Sequence, residues 1–185
     1  YALRRHALGI CRLLLEKNLS LNLPDLIELA RKQFPQKDVQ EKAKAEDIYA
    51  FIIDRLRAYL RDQAVAGKPF TTEEIDAVLS QSPAQLNDLI DRLTALREFN
   101  ALAEAAQLAA ANKRISNILK KNVTDIPAAC SSKLLQVPAE IALHQALEKL
   151  TPTLTAAYER RQFVELWKAL VALSAPIDQF FADVM

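Results

Sequence analysis

Two histidines, two cysteines and a few paired carboxylates are the residues of this 185-residue chain with the chemistry for catalysis or metal binding. His6 and His144 fall on separate predicted helices. Neither has a carboxylate or cysteine at a spacing that builds a general base, so each reads as a surface or partly buried helix residue. Cys11 and Cys130 lie far apart and outside any CxxC or Cys/His cluster. Cys11 sits beside an apolar helix face, as a small core residue does. Glu73–Glu74 and Asp88 with Asp91 are near predicted helix N-termini, where negative charge complements the backbone dipole. No HExxH, GxSxG or GxxxxGK[ST] pattern occurs in the sequence. The spacing thus predicts no catalytic constellation, no metal site and no disulfide framework, and a reducing compartment.

One stretch concentrates charge instead. "LAAANKRISNILKK", Leu108 to Lys121, carries Lys113, Arg114, Lys120 and Lys121, with no acidic residue between Glu104 and Asp125. At 100° per residue, Leu108, Ala111, Ile115, Ile118 and Leu119 form one apolar arc. Lys113, Lys120, Asn117, Ala110, Lys121 and Arg114 form the opposite one. Ala110 permits close approach, and Asn117 offers both a donor and an acceptor. Several cations with hydrogen-bonding side chains on a rigid element suit a phosphate backbone. The same face also fits a solvated helix whose cations sit near its C-terminus, where the dipole favours them.

Other arginines are candidates of the same kind. Arg57 and Arg61 share the polar face of one predicted helix, with Asp54 a turn before Arg57 as an available ion-pair partner. Arg55 points toward Phe51 and Ala58, with Asp62 as its expected partner. Arg4 and Arg5 open the first helix, and Arg160 and Arg161 lie between two later ones, beside Tyr158. Tyr49, Tyr59, Phe99 and Trp167 have stacking faces, although aromatics at helical spacing are usually core.

The elements that position these residues read as helices throughout. Only Gly9 and Gly67 are glycines, which argues against hairpins and phosphate-cradling loops and for an all-α bundle, with two packed sub-bundles as one arrangement. Helices are expected over about 3–17, from Pro24 to near Phe34, and over 46–63. Residues 36–45 read as a polar loop or the start of the third helix. Gly67–Lys68–Pro69 reads as a hinge, dividing an N-terminal segment 1–67 from a region 68–185, unless one domain runs through. Thr71 with Glu74 predicts a capping box, and Ser82–Pro83 with Gln85 a second one opening a helix to about Phe99. Helices follow over about 101–121, from Pro138, from Pro152, over 161–173 and from Pro176, with 122–137 as the longest loop. The chain opens on Tyr1 already inside an amphipathic pattern and closes on an apolar helical segment, as a piece of a longer polypeptide would.

A net charge of +1 provides no global field toward nucleic acid or membrane, so electrostatic recognition has to be local. No apolar run approaches the roughly 20 residues that span a bilayer. From the residues alone, the chain is an α-helical domain that binds nucleic acid or another protein.

Four segments extend that reading. "ALRRHALGICRLLLEKNLSL", "DRLRAYLRDQ", "LAAANKRISNILKK" and "APIDQFFADVM" together resemble the C-terminal part of the β subunit of bacterial-type glycyl-tRNA synthetases. The last of them resembles the DALR-type helical anticodon-binding domain, whose pattern in the family continues into a further helix. The resemblance implies a non-catalytic, cytoplasmic part of an α2β2 glycine–tRNA ligase, with region 68–185 akin to the anticodon-binding domain. It implies partners tRNA(Gly) and an α subunit, with ATP and magnesium only at the α-subunit active site and no cofactor here. It also favours Lys113, Arg114, Asn117, Lys120 and Lys121 as RNA-facing, with Arg57, Arg61, Arg160 and Arg161 as further contacts. A helical scaffold for intersubunit or interdomain contacts is the alternative.

Overall fold

A computed structural model describes residues 2–35, 44–121 and 130–184. The architecture is all-α, with one two-stranded hairpin among the described residues. The chain divides into two compact units, Tyr1–Thr94 and Ala95–Met185. Residues 36–43 of the loop expected over 36–45, and 122–129 of that expected over 122–137, lie outside the described residues.

In the first unit, α1 (Ala2–Glu16) and α2 (Leu23–Arg31) both pack on α3 (Ala45–Arg61). The buried stripe of α1 is Ala7, Cys11 and Leu14, at i, i+4 and i+7. Leu3, 75% exposed, and Ile10, 39% exposed, lie off this stripe. The α1 helix ends in a Schellman motif. Asn18 takes φ +50°, its N–H donates to the Leu15 carbonyl, and Leu19 N–H donates to the Leu14 carbonyl. Asn22 caps α2 by accepting from Asp25 N–H at 3.0 Å, and Pro24 sits in the first turn, where its missing N–H costs nothing. Ile52, Ile53, Leu56 and Leu60 are the buried face of α3. Each fully buried leucine contributes about 2 kcal/mol of transfer free energy.

The expected hinge is a β-hairpin within this unit. Ala64 pairs with Pro69 and Val65 with Lys68, around Ala66 (φ +52°) and Gly67 (φ +75°). Positive φ at both central positions is what tight two-residue hairpin turns require, and glycine supplies one of them without strain. The buried cluster continues across the hairpin through Phe70, Ile75 and Leu79, so the expected break near residue 67 falls inside the unit. Helix α4 (Thr72–Leu79) opens with the expected capping box. Thr71 Oγ1 accepts from Glu74 N–H at 3.2 Å, and Glu74 Oε2 accepts from Thr71 N–H at 2.8 Å.

The second expected capping box does not form. Ser82 has φ +49°, outside the extended region a capping residue occupies, and the next helix, α5 (Leu89–Asn100), starts seven residues after it. Residues between them are tied to α2 instead. Gln85 bridges Asn22, and Leu23 N–H donates to the Ala84 carbonyl at 2.7 Å. Leu86 is wholly buried, so core packing overrides the local helix-start signal.

In the second unit, α7 (Pro138–Glu159) packs on both α8 (Phe163–Leu170) and α9 (Ser174–Asp183), and α9 touches α6 (Ala105–Lys121). Pro152 does not start a helix; it lies inside α7. Proline at an interior position removes one backbone bond. Here α7 runs on because Ala139, before the proline, and Ala157, after it, are both buried, and Thr151 Oγ1 donates to the Leu147 carbonyl at 2.7 Å. The amphipathic run 161–173 is α8 followed by a 3-10 turn, Val171–Leu173. Phe99 stacks on Trp167 with ring centroids 4.6 Å apart, an aromatic core contact as the helical spacing predicts.

Candidate nucleic-acid interface

Helix α6 is the element that carries the cationic stretch. It begins at Ala105 rather than near Ala101, and its exposed side chains include Lys113, Arg114, Asn117, Lys120 and Lys121. Among the described residues no carboxylate pairs with any of these four cations. Ala110, Lys113, Arg114, Asn117, Ile118 and Lys121 line one shallow, open recess along the helix, so five of the predicted polar-arc residues share a surface. With cations 1.5 Å of helix rise per residue apart, Lys113 and Lys120 are separated by about 10 Å along the axis.

The apolar arc is less covered than its pattern predicts. Ala105 is the buried residue of α6, while Ile115 is 37% exposed and Leu119 48%. The C-terminal half of α6 thus leaves part of its apolar arc open to solvent.

Arg114 departs from the expected free cation. Its guanidinium lies over the Phe181 ring of α9, 4.0 Å from the centroid, and Phe180 meets Phe181 edge-on at 5.7 Å. One helical face makes this contact, since Gln107, seven residues earlier, hydrogen-bonds Asp178, three residues before Phe181. Asp183, the other nearby acid, accepts from Gln179 at 2.6 Å. Arg114 keeps its charge, because a ring face attracts a cation without neutralising it, and the residue stays exposed.

The remaining candidates divide. Arg57 is held by Asp76 of α4 at 2.8 Å, with Asp54 only at 4.0 Å, so its charge is compensated and its role is to join α3 to α4. Arg61 is exposed, and both belong to the first unit. Arg55 pairs with Asp54 at 2.8 Å rather than with Asp62, and it lies over Phe51, 5.1 Å from the ring centroid. Arg160 is exposed at the end of α7 and lines an open groove with Pro152, Gln162 and Lys168. Arg161 is the left-handed residue of a second Schellman motif. Its φ is +57°, its N–H donates to Tyr158, and Gln162 N–H donates to the Ala157 carbonyl. Arg161 thus occupies a tight reversal whose backbone conformation favours glycine.

No group suited to catalysis emerges among the described residues. Asp88, almost wholly buried, receives two bonds from Arg92, each 2.9 Å, and precedes α5. His144 reaches Glu148 at 3.5 Å, one turn along α7, and His6 is exposed. Glu16 is held below the usual carboxylate range by bonds from Arg12 at 2.8 Å and Tyr59 at 3.0 Å. Glu140 is lowered by accepting the N–H groups of Val137 and Gln136 at the start of α7. Both serve helix and packing geometry. No group of three or more histidines, cysteines or acids is arranged to hold a metal, and no helix is long and apolar enough to cross a membrane, among the described residues.

Phe181 and its contact with Arg114 are not among the residues that spacing and charge point to. The signal was the adjacent pair Phe180–Phe181: neighbours on a helix point 100° apart, so two adjacent rings cannot occupy one core-facing position.

Comparison with known proteins matches one segment within each unit. Residues 1–80 match the glycyl-tRNA synthetase beta subunit family, and residues 108–185 match the DALR anticodon binding domain, a span that includes the cationic stretch and α9. Over its full 185 residues the chain is 46% identical to the glycine–tRNA ligase beta subunit of Dechloromonas aromatica. It is 45% identical to those of a Janthinobacterium species and of Leptothrix cholodnii. It spans about a quarter of the length of these curated relatives, 25% of each. The two family matches, on either side of residues 81–107, and the similarity over the full chain agree: this chain is similar to a portion of the glycyl-tRNA synthetase β subunit.

Proposed function

We propose that this chain is a tRNA-gripping, non-catalytic portion of a glycine–tRNA ligase β subunit, and that its second unit contacts the anticodon stem and loop of tRNA(Gly). The observation that carries this reading is the α6 face. Four cations and an amide stand exposed on one rigid helix, uncompensated by any carboxylate among the described residues, within the stretch that matches an anticodon-binding domain. Lysines at such a face neutralise phosphates and set register without reading sequence, while unstacked loop bases meet arginine planes and amides. Glycine activation with ATP and magnesium then belongs to a partner α subunit, and this portion contributes binding energy to the ligation.

The first unit supports a second role. Leu29 and Phe34 stand about 60% exposed on α2 and just beyond it, beside an apolar cavity of about 480 Å³ lined by Ile10, Leu26, Ile27 and Ile48. Apolar surface of that kind fits interdomain or intersubunit packing better than RNA. The scaffold reading therefore applies to residues 1–94 and the RNA reading to α6 and its neighbours.

Hydroxyl-radical protection of labelled tRNA(Gly) tests the finer claim. Backbone cleavage should be suppressed in the anticodon arm on adding the chain, and restored when Lys113, Arg114, Lys120 and Lys121 are all replaced by alanine. Protection confined to the acceptor arm would refute the assignment.

A further inference from the structure

We propose that Phe181 is a positioning residue: it holds the Arg114 guanidinium as a flat platform on which an unpaired RNA base stacks. This deepens the RNA reading of the same site and rests on it. Three observations support the step. The central carbon of the guanidinium lies over the Phe181 ring, 4.0 Å from its centroid, so α9 braces the group, and Phe180 meets Phe181 edge-on at 5.7 Å. Arg114 is nevertheless exposed, which leaves its other side to solvent. Arg114 lines the same recess as Asn117, whose amide can donate and accept, and Lys113 and Lys121, whose ammonium groups are point charges.

Phosphate attraction needs only charge, and a mobile arginine supplies it. An arginine fixed against a ring has given up the side-chain entropy that stacking would otherwise cost, so a base that docks meets a preorganised surface. The nearby acids leave it in place: Asp178 is engaged by Gln107 and Asp183 by Gln179. The arrangement therefore favours single-stranded RNA over duplex. Bases within a duplex present no free face, whereas loop bases can splay out and stack on arginine planes.

The test compares two RNAs of equal phosphate number, a hairpin with an unpaired loop and a fully paired duplex, bound by the 185-residue chain. The wild type should prefer the hairpin, and Phe181→Leu should reduce that preference by about tenfold, the scale of one lost base stack. Phe181→Tyr should restore it, because a ring is again present. Arg114→Lys keeps the charge but removes the plane, so it should lose the same preference while the salt dependence of binding is retained. Thermal melts confirm that each variant is folded, and Arg114→Lys removes no core group. Equal preference in wild type and Arg114→Lys, or equal weakening on both RNAs, overturns the proposal. Absence of salt-dependent binding to either RNA would instead overturn the underlying RNA reading.

Discussion

Cys11 donates its thiol to the Ile52 carbonyl at 3.7 Å inside the first unit, and burial pushes it up to about 11. The folded state therefore favours the thiol over the thiolate. Between about pH 9 and 11 the unfolded chain gains by ionising and the folded chain does not, so stability should fall as pH rises through that window and be unaffected below it. A thiol-reactive chromophore should modify exposed Cys130 rapidly and Cys11 only on unfolding. Two equally fast thiols would contradict this placement. Asp88 makes a second residue-level prediction. Its carboxylate is buried and bonded twice by Arg92, so Asp88→Ala removes both of these charge-assisted bonds at the core edge. Chemical denaturation should show a loss of about 3 kcal/mol, at the low end for breaking a buried pair because Arg92 is partly solvated. Core placement of Cys11 was legible from its neighbours in the sequence. The tie between Asp88 and Arg92 was not, because the dipole explanation for an acid near a helix start was sufficient without it.

Helix periodicity and capping chemistry placed most elements, and they failed where tertiary packing outweighed them. The Thr71–Glu74 box formed because both partners are local. The equally well-spelled Ser82–Gln85 signal did not, because burial of Leu86 and the bridge to Asn22 draw that segment along α2. Pro152 is the converse, a stop signal overruled by alanine packing on either side of it. Arg161 tests how much the backbone governs this part of the fold. A non-glycine residue at φ +57° costs about 1 kcal/mol relative to glycine, so Arg161→Gly should stabilise the protein by about that amount in thermal or urea melts. If Arg161 carries weight as an RNA contact, the same variant should bind more weakly while being more stable. Loss of stability would mean that its side chain matters more than its backbone.

At the scale of the molecule, near-neutral net charge conceals a local field. Acids and bases are interspersed over most of the helices, and α6 is where the signs separate. That concentration was readable in the sequence, as was the likeness to the β subunit. The braced state of Arg114 was not, because it depends on a residue 67 positions away. The cationic face is the central claim, and the slope of log affinity against log salt measures it directly. Four phosphate contacts contribute a slope of about 3 to 4, and on the order of 100-fold in affinity between 50 and 200 mM salt. Titrating labelled tRNA(Gly) against the wild type and the variant with Lys113, Arg114, Lys120 and Lys121 all replaced by alanine should therefore give slopes differing by about 3, with weaker binding at low salt and unchanged circular dichroism. Superimposable slopes for two equally folded proteins would show that this face holds no RNA.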